Sequence, residues 1–176
     1  MRIPEGPNEH PEPAKPYPTR ELTHVNSLGE ARMVDIGEKH ETRRTATATS
    51  RISMSPEASN AIRNIANRKG DCIQVARIAA IQAAKQTSFL IPLCHLILID
   101  SVEVEHQWVS DCELEWRVTV KSTGPTGVEM ESLTAASVAA LTVYDMCKAI
   151  DQSMLISHIM LVTKTGGMRG DYERKE

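Results

Sequence analysis

The chain has 176 residues, with 20 Lys and Arg against 23 Asp and Glu, a net charge of −3 and 41% hydrophobic residues. That length suits one domain with a full core, and the slightly acidic balance excludes a nucleic-acid surface built on bulk positive charge. Aromatics are only 3%, too few for the stacking platforms of single-strand nucleic-acid binders, and no uninterrupted apolar run reaches the roughly 18 residues of a membrane span.

Six of the nine prolines fall within the first eighteen residues, among Glu, Asn and Lys. Such a segment cannot bury enough apolar surface to offset its ordering entropy, so residues 1–21 are expected to be a disordered tail, with a single domain over 22–176. The tail lacks the apolar core of a signal peptide. Cys72, Cys94, Cys112 and Cys147 show no CxxC pair or zinc-ribbon spacing, and three of them lie in or beside apolar runs. Reduced thiols and a cytoplasmic location are the expectation.

From Thr45 to Met54 the small and apolar residues Ala46, Ala48, Ile52 and Met54 fall on alternate positions, which predicts a strand. Ser55-Pro56-Glu57 supplies an N-cap, a proline for the first helical position and an acid for the first turn. The helix continues through Ala58, Ala61, Ile62, Ile65 and Ala66 and ends before Lys69-Gly70-Asp71. Asp71 caps a second, almost wholly apolar helix from Cys72 to Ser88. Strands follow over Leu96–Trp108 and Glu113–Lys121, joined as a hairpin around Ser110-Asp111, with Trp108 and Trp116 placed to face each other. An alanine-rich helix is expected over Ser132–Ile150, a strand over Leu155–Thr163, and then a glycine-rich basic tail from Lys164 to Asp171. The order β-α-α-β-β-α-β is an α+β pattern: a ferredoxin-like antiparallel sheet with helices on one face and an extra helix in the first crossover.

Four segments carry groups capable of chemistry. In LTAASVAALTVYDMCKAI (133–150) the only charges are Asp145 and Lys148, three residues apart and so on nearly one helical face. Inside so apolar a helix they are either a structural ion pair or a semi-buried acid/base couple. Leu90–His95 is a short link stiffened by Pro92, where Cys94 and His95 stand adjacent; a structural loop, a substrate contact with proton transfer by His95, and a metal site are all open. In Gly124–Glu131, Glu129 and Glu131 alternate and project the same way if extended; they either favour a helix dipole or accept hydrogen bonds from a nitrogen-rich ring. Lys69 precedes a helix N-terminus, as an anion site or as a surface lysine beside a C-cap glycine. Lys164 with Gly166, Gly167 and Arg169 suits a phosphate clamp or a frayed terminus. No Walker A, GxGxxG, HExxH or GxSxG motif occurs.

The joint order of these segments resembles one family. LTHVNSLGEARMVDIGEKHET (22–42), KGD (69–71), ARIAAIQAAKQTSFLIPLCH (76–95), GPTGVEMESLTAASVAALTVYDMCKA (124–149) and KTGGMRGD (164–171) are similar to cyclic pyranopterin monophosphate synthase, the accessory protein C of molybdenum cofactor biosynthesis. The resemblance implies a lyase that converts 3′,8-cyclo-7,8-dihydroguanosine triphosphate to cyclic pyranopterin monophosphate and pyrophosphate. It implies no cofactor and no metal, and a homohexamer, a trimer of dimers with active sites between subunits. By position it implies catalytic roles for Asp145, Lys148, Lys69 and His95. Leu93, Cys94, His95, Met130 and Glu131 match substrate-binding segments, and Glu129, Lys164, Lys39 and Arg44 fall on positions suited to substrate or phosphate contact. Two positions depart from the family pattern: Leu96 stands where Pro or His is expected, and Met168 where many bacterial relatives carry Lys. The competing reading is a non-catalytic ferredoxin-like module that binds a nucleotide or regulates a partner.

Overall fold

In the computed structural model, residues 28–65, 69–167 and 170–175 are described. The described residues from Met33 onward belong to one compact unit; the expected 1–21 tail lies outside the described residues, as do Met168 and Arg169. The elements are β1 (Thr42–Ser53), α1 (Pro56–Arg63), α2 (Cys72–Leu90), β2 (Ser101–Ser110), β3 (Glu113–Gly124), α3 (Glu129–Cys147), β4 (Leu155–Thr165) and β5 (Tyr172–Glu173). All strand pairs are antiparallel, in the order β2-β3-β1-β4-β5. The first four positions are the ferredoxin-like arrangement, with α1 and α2 both in the first crossover.

The alternation in β1 sets the two faces of the sheet. Ala46, Ala48 and Ile52 pair with Val120, Val118 and Leu114, and all six are fully buried. Ser50 lies on the same face and donates to the carbonyl of Ala136 in α3 at 2.6 Å, which places α3 over this face. On the opposite face Thr47 meets Thr119 at 2.9 Å, and Arg51 pairs with Glu115 at 2.7 Å, a cross-strand polar surface. Helices α2 and α3 pack against each other, and both are rich in small buried side chains: Ala76, Ala80 and Ala84 on one, Ala135, Ala136, Ala139 and Ala140 on the other. The missing bulk lets the two axes approach closely.

Capping sets where two helices begin. Ser55 Oγ accepts from the Ala58 N–H, with Pro56 at the first helical position. Asp71 accepts from the N–H groups of Ile73 and Gln74 at 3.0 and 3.1 Å. Asp71→Ala is expected to lower the unfolding free energy by about 1 kcal/mol, read as a shifted urea midpoint with an unchanged slope.

Several boundaries differ from the sequence expectation. Helix α1 stops at Arg63 because Asn64 leaves helical geometry and Ile65 takes φ +53°. Strand β2 begins at Ser101, not Leu96: the 96–100 segment is held by Ser122 Oγ on the Leu98 carbonyl and by one backbone bond from Asp100 to Lys121. Helix α3 starts three residues early, at Glu129, and ends at Cys147, where a turn leads to Asp151; that carboxylate accepts from the Ser55 and Ser153 N–H groups. Lys164 belongs to β4 rather than to a tail, because β5, which the sequence did not announce, pairs Lys164 with Tyr172. The tryptophans do not face each other. The hairpin register sets His106 opposite Trp116 and Trp108 opposite Leu114, and Trp108 instead lies under the Arg63 guanidinium at 3.8 Å.

Candidate functional site

Helices α2 and α3 run antiparallel, so the N-terminus of one lies beside the C-terminus of the other. At that end Asp145 accepts from two lysines. Lys148 Nζ, one turn further along, is 2.8 Å from Asp145 Oδ1. Lys69, on the turn before α2, reaches Oδ2 at 3.1 Å and also donates to the Asp145 backbone carbonyl at 2.7 Å. Lys69 thereby satisfies a carbonyl of the last helical turn, where a cation is favoured. The hydrogen bond from Lys148, then that from Lys69, holds the Asp145 carboxyl below the usual carboxylate range. The same bond to Asp145 pushes the Lys148 ammonium up.

These groups are not semi-buried within the chain, contrary to the sequence reading. The side chains of Asp145, Lys148 and Lys69 are 57, 54 and 46% exposed. The apolar run is long because one face of α3 covers the sheet while Ala135, Ala139 and their neighbours meet α2; the charged face looks outward at the helix end. The shifts of Asp145 and Lys148 therefore come chiefly from their hydrogen bonds to neighbouring charges, with desolvation opposing them.

The opposite end of the helix pair gathers a second set. Glu129 and Glu131 lie in the first turn of α3 rather than in an extended segment, so they diverge instead of projecting together. Glu129 Oε1 meets Lys164 Nζ of β4 at 3.0 Å, both about a quarter exposed (29 and 24%). Glu131 is turned inward and 4% exposed. Burial raises its pKa to about 7; its own backbone N–H opposes the rise and the Glu129 charge adds to it. Near neutrality Glu131 thus exists both as donor and as acceptor. Burial, and then the charge of Glu131, raise the thiol of Cys94, so the turn after α2 and the start of α3 share one environment. In that turn Leu93, Cys94 and His95 are half-buried, and His95 Nε2–H donates to the Val34 carbonyl at 2.7 Å. That bond engages Nε2 and not Nδ1. Met130 is 36% exposed.

Arg44 braces this end. Its guanidinium donates to the carbonyls of Gly124 and Pro125, each at 3.3 Å, tying β1 to the link that leads into α3. A Cβ at Gly167 would strike that guanidinium, one at Gly166 the Arg43 carbonyl, and one at Gly127 the Glu129 carboxylate. At Gly166 the neighbour is backbone, and Gly166 and Gly167 hold φ +86° and +93°, which favour glycine. Asp171, which the sequence reading did not single out, accepts from the Gly166 N–H at 3.0 Å and fixes the turn after Lys164. Tyr144 was also missed: its hydroxyl donates to the Gln152 carbonyl at 3.1 Å, steadying the turn that carries Lys148. Lys39 is exposed in a turn closed by its own N–H on the Ile36 carbonyl, and the described contacts bring it to neither set. Leu96, the departure after His95, is 73% exposed.

A family model described as the MoaC family matches residues 33–167, which include both sets of groups. The chain belongs to the MoaC family. Relatives named cyclic pyranopterin monophosphate synthase agree with that membership. The one from Peptoclostridium acidaminophilum is 52% identical over 155 residues, 88% of this chain and 98% of its own length. Those from Brevibacillus brevis and Thermoanaerobacter pseudethanolicus are 49 and 50% identical, over 90 and 88% of this chain and 99 and 98% of their own lengths. The chain thus aligns with nearly the whole of each of these relatives. Among the described residues no helix is long and apolar enough to cross a membrane.

Proposed function

We infer that this chain catalyses the reaction for which its relatives are named: the lyase conversion of the cyclised guanosine triphosphate intermediate to cyclic pyranopterin monophosphate and pyrophosphate, in molybdenum cofactor biosynthesis. The observation that carries the inference is Asp145 held between Lys69 and Lys148 at the end of an otherwise apolar helix, in a chain about half identical to such synthases. A module that only binds a nucleotide has no need of a carboxylate with two ammonium groups in transfer distance. Incubating the purified protein with the cyclised triphosphate should release pyrophosphate. Binding without release would instead favour the module.

The roles are proposed as follows. Asp145, Lys148 and Lys69 exchange protons as the imidazole part of the base opens and the cyclic phosphate forms, acting as a coupled set. His95 serves as a further proton carrier. Glu131, near half-protonation at neutral pH, reads N–H groups of the base, with Leu93, Cys94 and Met130 shaping that end. Lys164, Arg44 and Lys39 are cations for the triphosphate, with Glu129 holding Lys164 until an anion replaces it.

These groups cannot all serve one ligand within one chain. Fourteen residues of α3 separate Glu131 from Asp145, an axial distance of about 21 Å at 1.5 Å per residue, whereas proton transfer needs contact at about 3 Å. We propose that the Asp145 end of one chain completes the Glu131 end of a neighbour, in a homohexamer built as a trimer of dimers. Phe89, Leu90, Leu96 and Leu98 flank the His95 turn in sequence and are all more than half exposed, which supplies apolar area for such a contact. The relatives, matched over nearly their full length, support a catalytic domain spanning residues 22–176, with 1–21 outside it. That none of the four cysteines is in a disulfide supports a reducing, cytoplasmic setting.

A further inference from the structure

Behind the Lys69–Asp145–Lys148 cluster lie two thiols that the proposed chemistry does not use. Cys72 is the first residue of α2 and Cys147 the last of α3. They are 75 residues apart in sequence, yet the antiparallel packing of the two helices brings them together, and Lys69 fastens the same two helix ends through Asp145. Their relative exposures are 2 and 0%, a side-chain hydrogen bond links Cys72 to Cys147, and neither residue is in a disulfide. Each is bonded closely to the cluster by the chain itself: Lys148 directly follows Cys147, and Lys69 precedes Cys72 by three residues.

We propose that Cys72 and Cys147 form a reversible disulfide whose closure displaces the Lys69–Asp145–Lys148 cluster and suppresses turnover, a redox-controlled modification site. Only the turnover half of this statement rests on the function inferred above. The reaction partner is a low-molecular-weight disulfide such as oxidised glutathione. The bond to Cys147, and then burial, raise the Cys72 thiol far above its ordinary range, so the pair is inert in the closed fold and reacts when the first turn of α2 opens. Helix termini open most readily, and Cys72 stands at one, after Gly70 at φ +97°. The Cys72 thiolate attacks one sulfur of the oxidant and releases a glutathione thiolate, which takes up the proton Cys72 has lost. The Cys147 thiolate then attacks the Cys72 sulfur, breaks the mixed disulfide and releases the second glutathione. Two protein thiols are oxidised to one disulfide, and one oxidant molecule is reduced to two thiols.

A disulfide brings its sulfurs to about 2.05 Å, so two hydrogen-bonded thiols must close by more than an ångström. The contacts of Lys69 and Lys148 with Asp145, at 2.7 to 3.1 Å, have no such slack. A displacement of about 1 Å lowers turnover by about 100-fold.

The test treats the full chain with oxidised glutathione, digests it without reductant and follows pyrophosphate release. The proposal expects a peptide cross-linked between Cys72 and Cys147, turnover lowered by about 100-fold, and recovery in dithiothreitol. Cys72→Ala and Cys147→Ala should each keep their turnover through the same treatment, and Cys112→Ala should lose it as the wild type does; either of the first two variants suffices if the other does not fold. Modification confined to Cys94 or Cys112, or a cross-link with undiminished turnover, would overturn the proposal. If the reduced wild type shows no turnover at all, the inferred function fails separately. Acylation of Lys69 and Lys148 by an N-hydroxysuccinimide ester then decides the displacement: faster labelling after oxidation supports it, and unchanged labelling refutes it.

Discussion

Asp145→Asn should lower turnover by about 10² to 10⁴-fold, the usual contribution of a positioned proton-transfer group, with Lys69→Ala falling in the same range. Asparagine keeps the shape of the side chain and can still accept from one lysine. It removes the charge that draws Lys69 and Lys148 to one point and cannot take up a proton. The folded state should hardly notice, because the Asp145 side chain is more than half exposed and exposed substitutions shift stability by roughly 0.5 kcal/mol or less. The informative comparison is kcat against thermal midpoint for each variant. Near-wild-type kcat in Asp145→Asn would reduce the cluster to a helix-end ion network.

Glu131→Gln should change how stability depends on pH. Burial raises the folded-state pKa of Glu131 from 4.5 to about 7, so the folded chain binds a proton that the unfolded chain has already released over that interval. The contribution of the neutral carboxyl is complete below pH 4.5 and is lost as pH rises towards 7. Glutamine carries no such proton and should flatten this part of the profile. The variant gains on the wild type between pH 4.5 and 7, by a few kcal/mol at most. Urea unfolding of both proteins at pH 4.5 and 7.5 measures it, and parallel profiles would show that Glu131 titrates normally in the folded chain. Turnover should respond in the opposite sense at neutral pH, since glutamine can no longer switch between donor and acceptor.

The sheet was legible because its period is simple. Ala46, Ala48 and Ile52 alternate with Thr, Ser and Arg, and each falls on the face that the sequence assigned. The caps at Ser55 and Asp71 were legible for an equally local reason, since each acts within three residues of itself. What failed depended on strand register and pairing, which no single-strand period sets. The hairpin register separated Trp108 from Trp116, and β5 turned the supposed tail around Lys164 into strand. The alanine-rich segment misled most. Its apolar length suggested buried charges, but two buried faces, one on the sheet and one on α2, use up the apolar residues and leave Asp145 and Lys148 outside. The site residues were named through resemblance. Their division into two sets at opposite ends of a helix pair is a property of the fold that no local spacing conveys.

That division makes the joining of two chains the central claim, and mixing inactive variants tests it most directly. Asp145→Asn disables one end and His95→Ala the other, so each should be inactive alone. In a mixed pair with two-fold symmetry of contact, one site inherits both changes and the other inherits neither. Equal amounts co-assembled at random should therefore recover about one quarter of wild-type turnover. A mixture as inactive as its two components, with mixed assembly verified by mass, would contradict the account.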